Sequence, residues 1–165
     1  IVFGSGSARS FPDGYSMEKA KEQLAFFLRE YASPKAEKAG CIIVMEPLRF
    51  CESSMIHTVA DGIEIAKMSG KNNIGGLADL YHVYGNNDNI EGIGQFKGKL
   101  FHSHIAEPEK RVYPSTKDNE KTVSIYKKFF EALKKAGCET CSIEARTDDF
   151  INDIADALAI IKALV

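Results

Sequence analysis

Apolar runs long enough to cross a membrane are missing from this 165-residue sequence, which also has no tryptophan and only four cysteines. A membrane-spanning helix needs about 20 consecutive apolar residues, and no stretch of the chain approaches that length. One C-x-x-C pair is present, formed by Cys138 and Cys141, but a zinc ribbon needs a second such pair. We therefore expect a cytoplasmic protein with reduced cysteines and no membrane association.

An excess of positive charge is also missing. The chain has 21 Lys and Arg residues against 23 Asp and Glu residues, which gives a net charge of −2. Proteins that bind nucleic acids normally present a basic face, so we expect no nucleic acid partner. The length and the ordinary balance of apolar and charged residues predict a single domain over residues 1–165.

The sequence does contain a fivefold alternation of short apolar runs and longer amphipathic stretches. The apolar runs predict strands at Ile1–Phe3, Cys41–Met45, Ile74–Ala78, Leu100–Ile105 and Thr140–Ile143. The amphipathic stretches predict helices at Ser16–Gly40, Ser54–Ser69, Asn89–Phe96, Thr122–Ala136 and Phe150–Val165. Strands separated by helices favour a parallel sheet with right-handed crossovers, and hence the α/β class.

Two architectures fit this alternation, an open doubly wound sheet and part of an eight-stranded barrel. A dinucleotide-binding sheet has a glycine-rich turn after its first strand, whereas Gly4-Ser5-Gly6 lacks the third glycine of that fingerprint. The first strand therefore gives only a weak signal, and the ends of the later strands carry more information.

Carboxylate and imidazole side chains occur at the C-terminal ends of four successive strands, which form the functional edge of parallel β/α proteins. They are Glu46, Asp79 with His82, His102 with His104, and Glu144. Taken singly, each has an ordinary explanation as a solvated loop acid, a turn cap or a packed histidine. Taken together, three ionised carboxylates need a compensating cation. Two Glu, one Asp and one His suit a divalent ion such as Mn²⁺, Co²⁺, Mg²⁺ or Zn²⁺.

Four motifs around these residues resemble the xylose-isomerase-like superfamily, and within it the ketose 3-epimerase branch of the tagatose and psicose epimerase type. The motifs are Glu46-Pro47-Leu48-Arg49-Phe50-Cys51-Glu52, Leu77-Ala78-Asp79-Leu80-Tyr81-His82, His102-Ser103-His104-Ile105-Ala106-Glu107 and Ser142-Ile143-Glu144. The loop Gly4–Arg9 also resembles the loop that follows the fourth strand of that family.

The resemblance implies a partial (β/α)8 TIM barrel, in which the chain supplies parallel strands four to eight with their helices and lacks the first three βα units. The implied metal ligands are Glu46, Asp79, His104 and Glu144. The implied substrate-binding residues are Glu52, His82, Lys110 and Arg111.

The activity implied by the resemblance is isomerisation or epimerisation of a ketose or related sugar through a cis-enediolate, with one divalent metal ion as cofactor. Glu46 and Glu144 would be the catalytic bases, one removing a carbon-bound proton and the other returning a proton to the opposite face of the sugar. The chain departs from the family at Arg49-Phe50, where Asn-Arg is common, and at Lys110, where Arg is usual.

Three alternative functions stay open at this point: a polyol dehydratase of the same superfamily, an enzyme like the metal-dependent apurinic endonucleases, and an inactive fragment. Those endonucleases bind several zinc ions through further His and Asp ligands, and the stretch after His104 has no Asp-x-His pair. The chain starts at Ile1, within a strand-like run and without an initiator methionine, so we expect a truncated or processed product. Five βα units do not close a barrel, and open sheet edges tend to pair. We therefore expect either an origin in a longer protein or a homo-oligomer.

Overall fold

Five strands lie side by side in one parallel sheet in the computed structural model, which describes residues 1–165. The strands are β1 (Val2–Phe3), β2 (Ile43–Met45), β3 (Ile74–Asp79), β4 (Leu100–Ile105) and β5 (Cys141–Ile143). Their order in the sheet is their order in the chain, β1-β2-β3-β4-β5. A doubly wound sheet would reverse its strand order at a switch point, whereas a barrel adds each strand beside the last. The predicted partial TIM barrel is therefore confirmed as a five-stranded half-barrel.

Six helices connect and cover the strands. They are α1 (Met17–Phe27), α2 (Ser33–Lys38), α3 (Val59–Ser69), α4 (Leu80–Gly85), α5 (Glu120–Ala136) and α6 (Phe150–Leu164). Short 3-10 turns lie at Gly6–Arg9 and Glu91–Gln95. None of the helices combines the length and the apolar character that crossing a bilayer requires.

The first predicted helix, Ser16–Gly40, is present but interrupted. The Ser16 side chain caps it by accepting a hydrogen bond from the Lys19 amide at 3.3 Å. A π-helical turn at Leu28–Ala32 separates α1 from α2. Pro34, near the start of α2, has no amide hydrogen and its ring would clash with a carbonyl one turn earlier. Widening of the preceding turn accommodates it.

Capping residues account for one shifted helix boundary and for one helix that was not predicted. The predicted helix Ser54–Ser69 begins at Val59, because Thr58 and Asp61 form a reciprocal capping box. Helix α4 was not predicted, and it starts because the Asp79 carboxylate accepts a hydrogen bond from the His82 amide at 3.1 Å. The predicted helix Asn89–Phe96 forms only the 3-10 turn at Glu91–Gln95, where two glycines weaken an α-helix.

Two apolar clusters hold the helices against the sheet. The larger is centred on α5, where Tyr126 and Phe129 have no exposed surface. The smaller packs Leu28 and Ile65 against Met45 of β2. Full burial of each such side chain contributes about 1.5–3 kcal/mol, so both clusters fix the strand ends in place.

The two edges of the sheet are open. Strand β1 pairs only with β2, and β5 pairs only with β4. Apolar side chains at these flanks are exposed, among them Val2 in β1 and Phe150 and Ile151 at the start of α6.

Candidate metal centre

The four predicted ligand residues come together at the C-terminal edge of the sheet. Glu46 and Glu144 directly follow β2 and β5, Asp79 ends β3, and His104 lies beside it in the register of β4. One ligand atom from each side chain lies within 4.8 Å of the other three. The convergence follows from the parallel topology, since all four residues lie at or just beyond the C-terminal ends of neighbouring strands.

A single nitrogen of His104 lies at the centre of this cluster. Its Nδ1 atom is 3.0 Å from Glu46 Oε1, 3.5 Å from Asp79 Oδ2 and 2.8 Å from Glu144 Oε2. Only the contact with Glu46 has the alignment of a hydrogen bond, and the buried Oε2 atom of Glu144 has no hydrogen-bond partner. One ring nitrogen holds at most one proton, so hydrogen bonding alone does not account for three carboxylates crowded around it.

The spacing fits a divalent cation. Ligand atoms bonded at about 2.1 Å to one ion lie roughly 3.0 Å apart in an octahedral shell and roughly 3.4 Å apart in a tetrahedral one. The three contacts of His104 Nδ1 span 2.8–3.5 Å. Three carboxylates and one imidazole also form a donor set suited to Mn²⁺, Co²⁺, Mg²⁺ or Zn²⁺. The residues present therefore fit the ion that the sequence predicts.

Without an ion, protonation of His104 offsets the negative charge of the surrounding carboxylates. Burial lowers the pKa of His104, but the three surrounding carboxylates outweigh this effect and raise it to about 11. The same contact with His104, together with Arg111, lowers the pKa of Glu144 to about 2 against the opposing effect of burial. The metal-free site thus holds ionised Glu144 beside a positively charged imidazole.

Asp79 is held by the helix it starts. Its Oδ1 atom accepts the hydrogen bond from the His82 amide that caps α4, and its Oδ2 atom faces His104. The strand end and the helix cap therefore fix one carboxylate between them, with one oxygen left for the cluster.

Glu52 and His82, two of the predicted substrate-binding residues, lie next to each other. Nδ1 of His82 is 3.3 Å from Glu52 Oε2, without the alignment of a hydrogen bond. The His82 side chain is 1% exposed, whereas that of Glu52 is 37% exposed. The Glu52 carboxylate also accepts a hydrogen bond from the Arg49 amide at 3.1 Å, which orders its loop.

The two predicted basic residues differ in position. Arg111 Nη2 lies 3.0 Å from Glu144 Oε1, and its guanidinium carbon is 5.0 Å from the centre of the Tyr81 ring. Lys110 is exposed, and its amine makes no hydrogen bond or ion pair. Arg111 has a left-handed backbone with φ 56°, a costly conformation for a residue other than glycine. The turn thereby aims the arginine, and not the lysine, at the cluster.

His102 is not part of the cluster, although it shares a strand face with His104. Its Nδ1 and Nε2 atoms contact the hydroxyls of Thr140 and Ser142 at 2.9 and 3.0 Å. Burial and the neighbouring His104 lower the pKa of His102. Both ring nitrogens are occupied in joining β4 to β5, so this histidine has a structural role.

Sequence reasoning assigned no role to Gly4, Arg9 or Tyr81, which the structure places beside the ligands. The guanidinium carbon of Arg49 lies 3.5 Å from the centre of the Tyr81 ring, and Arg111 lies over the same ring. Arg9 is buried and donates a hydrogen bond to the backbone carbonyl of Glu46. The loop Gly4–Arg9 was visible as a motif, but nothing in the sequence relates it to a residue some 40 positions away.

A family model described as a xylose isomerase-like TIM barrel matches residues 1–164. The chain belongs to the xylose isomerase-like TIM barrel family. No match was found among curated protein sequences.

Solved structures of this family share the half-barrel. The apo form of 3-keto-D-glucoside 4-epimerase from E. coli has a TM-score of 0.79 and 21% identity, over 99% of this chain and 63% of that one. D-psicose 3-epimerase from Clostridium cellulolyticum H10, in complex with D-tagatose, has a TM-score of 0.74 and 22% identity, over 92% and 57% of the two chains. The IolI protein, solved with a bound zinc atom, has a TM-score of 0.73 and 21% identity, over 94% and 60%. This xylose isomerase-like chain therefore spans about 60% of the length of these family members.

Proposed function

We propose that this chain carries the metal-binding part of a sugar isomerase or epimerase that acts on a ketose or related sugar. The observation that carries the proposal is the convergence of Glu46, Asp79, His104 and Glu144, whose ligand atoms lie within 4.8 Å of one another. Family membership and the two epimerases among the similar structures support the reaction class. The zinc atom in IolI supports the use of a metal ion.

A divalent ion bound at this cluster would act as a Lewis acid that stabilises negative charge on a sugar oxygen. The residues of the chain then have to orient the sugar and move a proton on carbon. Glu46 follows β2 and Glu144 follows β5, with the two strands β3 and β4 between them. In the proposed reaction one of these carboxylates removes the proton next to the carbonyl, which leaves an enediolate. The other returns a proton to the opposite face.

The remaining polar residues would bind the sugar hydroxyls. Glu52 and His82 form one polar pair. Arg111 lies against Glu144, where its guanidinium would both orient that carboxylate and donate to substrate oxygens. Lys110 is exposed and would reach the sugar only by closing over it.

Deuterium exchange tests the proposal directly. The Mn²⁺-loaded chain is incubated in D2O with ketoses, 3-keto-glycosides and polyols. Proton NMR follows the hydrogen on the carbon next to the carbonyl of the first two classes, and any loss of water from the polyols. We expect exchange and epimer formation with at least one ketose, and loss of epimer formation in Glu144→Gln. Epimer formation that persists at near-normal rate in Glu144→Gln would reject the two-base assignment.

The reaction products, together with the metal content and an assay on abasic DNA, separate the alternatives. Loss of water from a polyol without epimer formation would assign a dehydratase. Metal binding without any exchange would identify an inert metal-binding fragment. Tight binding of several zinc ions, with cleavage of abasic DNA, would assign an apurinic endonuclease instead. The chain groups one set of four ligand residues, which favours a single ion.

A further inference from the structure

The Glu46 carboxylate lies against Gly4, the residue that directly follows β1. A Cβ atom built on Gly4 would be 2.3 Å from Glu46 Oε2, which no side chain tolerates without movement. Gly4 does not have a positive φ angle, so its backbone does not itself require glycine. The requirement for a missing side chain at position 4 comes from the carboxylate alone.

The other oxygen of the same carboxylate faces the cluster. Glu46 Oε1 accepts the aligned hydrogen bond from His104 Nδ1 at 3.0 Å. The carboxylate therefore fills the space between Gly4 and His104. The methyl group of an alanine at position 4 would push the Glu46 carboxylate out of that space. The fold would stay intact, since the carboxylate is the mobile end of a flexible side chain.

Arg9 fixes the backbone that carries this side chain. Its Nη1 atom donates to the Glu46 carbonyl at 2.9 Å and lies 3.5 Å from the Phe3 carbonyl. Phe3 is the last residue of β1, and its carbonyl also accepts a hydrogen bond from the Glu46 amide at 3.2 Å, directly after β2. One guanidinium group thus ties together the two strand ends on which Gly4 and Glu46 sit.

The burial of Arg9 is not explained by its hydrogen bonds. The residue is 5% exposed, and its Nε and Nη2 atoms have no hydrogen-bond partner. Burial lowers the pKa of Arg9 to about 10, partly offset by Glu46, so it stays cationic at neutral pH. A buried cation with two unpaired donors is costly to the fold, and an apolar side chain of similar volume would avoid that cost.

We propose that Gly4 and Arg9 are positioning residues for the metal ligand Glu46, Gly4 by leaving room for its carboxylate and Arg9 by holding its backbone and its charge. The inference rests on the proposed metal site and extends it to the loop after β1. It makes Gly4 and Arg9 part of the metal centre, although neither residue is itself a ligand.

Mn²⁺ affinity of Gly4→Ala tests the steric part. Residues that orient metal ligands change metal affinity by about 10–100-fold when replaced, and we expect a loss in that range by calorimetry or by titration of free Mn²⁺ with EPR. Ser7→Ala is the matched control, because Ser7 is exposed in the same turn, and its affinity should equal that of wild type. An unchanged affinity in Gly4→Ala overturns the role of Gly4.

A double-substitution cycle shows whether Gly4 acts through Glu46. In a Glu46→Ala background there is no carboxylate to displace, so Gly4→Ala should cause no further loss of Mn²⁺ affinity. An equal loss in both backgrounds would mean that position 4 acts by some other route, and would overturn the inference.

Arg9→Met and Arg9→Lys test the second residue. We expect Arg9→Met to weaken Mn²⁺ binding about 10-fold or more without lowering the melting temperature of the metal-free protein, because it removes two unpaired buried donors. Arg9→Lys keeps the charge and should recover part of the affinity. A lower melting temperature with unchanged Mn²⁺ affinity would assign Arg9 a purely structural role.

Wild-type binding separates this inference from the proposed function. If the wild-type chain binds no Mn²⁺, both fail. If it binds Mn²⁺ and all position 4 and position 9 variants bind equally well, only the positioning roles fail.

Discussion

Arg111 and Glu144 form an ion pair that leaves half of the carboxylate free. Nη2 of Arg111 contacts Oε1 of Glu144 at 3.0 Å, while Oε2 faces the cluster and has no hydrogen-bond partner. The arginine therefore takes one oxygen and directs the other toward the site. Glu144 is the most exposed of the four predicted ligands, so it depends most on such a contact.

Replacement of Arg111 should weaken metal binding. In Arg111→Ala the Glu144 carboxylate loses the contact that orients it, and we expect Mn²⁺ affinity to fall about 10-fold or more by calorimetry. Lys110→Ala is the matched control, since the neighbouring amine makes no ion pair, and should leave the affinity unchanged. Equal effects of the two substitutions would contradict this role for Arg111.

The two histidines of β4 should respond differently to replacement by glutamine. His104→Gln removes the nitrogen at the centre of the cluster, and we expect Mn²⁺ affinity to fall by at least about 100-fold, beyond the range for outer residues. His102→Gln alters only contacts with two hydroxyls and should change affinity by less than about threefold. Calorimetry on both variants measures the difference, and a larger effect at His102 would refute the assignment of ligands.

The stability of the metal-free protein should depend on pH through the same cluster. The pKa of His104 is raised from 6.5 to about 11, so its contribution is complete below 6.5 and is lost as the pH rises toward 11. The pKa of Glu144 is lowered from 4.5 to about 2, so its contribution is complete above 4.5 and is lost as the pH falls toward 2. Together they stabilise the metal-free fold most between pH 4.5 and 6.5.

Thermal unfolding in EDTA tests this window. The melting temperature of wild type should exceed that of His104→Gln by more at about pH 5.5 than at about pH 9.5, because His104 loses its proton gradually across that interval. His102→Gln serves as the control for loss of a histidine on the same strand. A difference between wild type and His104→Gln that grows with pH would reverse the sign of the argument.

The open edges of the sheet should drive self-association of the 165-residue chain. Strands β1 and β5 each have one unpaired side, and exposed Val2, Phe150 and Ile151 lie in or near them. Unpaired strand edges and apolar surface favour pairing with another chain. Light scattering should therefore show a dimer or larger species, and a monodisperse monomer would contradict the expectation.

Much of the architecture was predictable because it depends on local pattern. Strand β4 matches its predicted range, Leu100–Ile105, and α5 begins two residues before its prediction because Asn119 caps it. The boundaries that differed depend on side chains that act at a single position, such as the Thr58 cap of α3 and the Asp79 cap of α4. Apolar periodicity does not report such caps.

Residue order alone is sufficient to predict the βα alternation and the presence of Glu46, Asp79, His104 and Glu144 at four strand ends. Parallel strands in chain order then bring those ends together, so the cluster follows from pattern and topology. Three other features emerge only from the three-dimensional fold: Arg111 and not Lys110 contacts Glu144, His102 joins two strands, and Gly4 and Arg9 lie against Glu46. These outcomes depend on distances between residues far apart in the chain and on the direction of each side chain, which residue order does not encode locally.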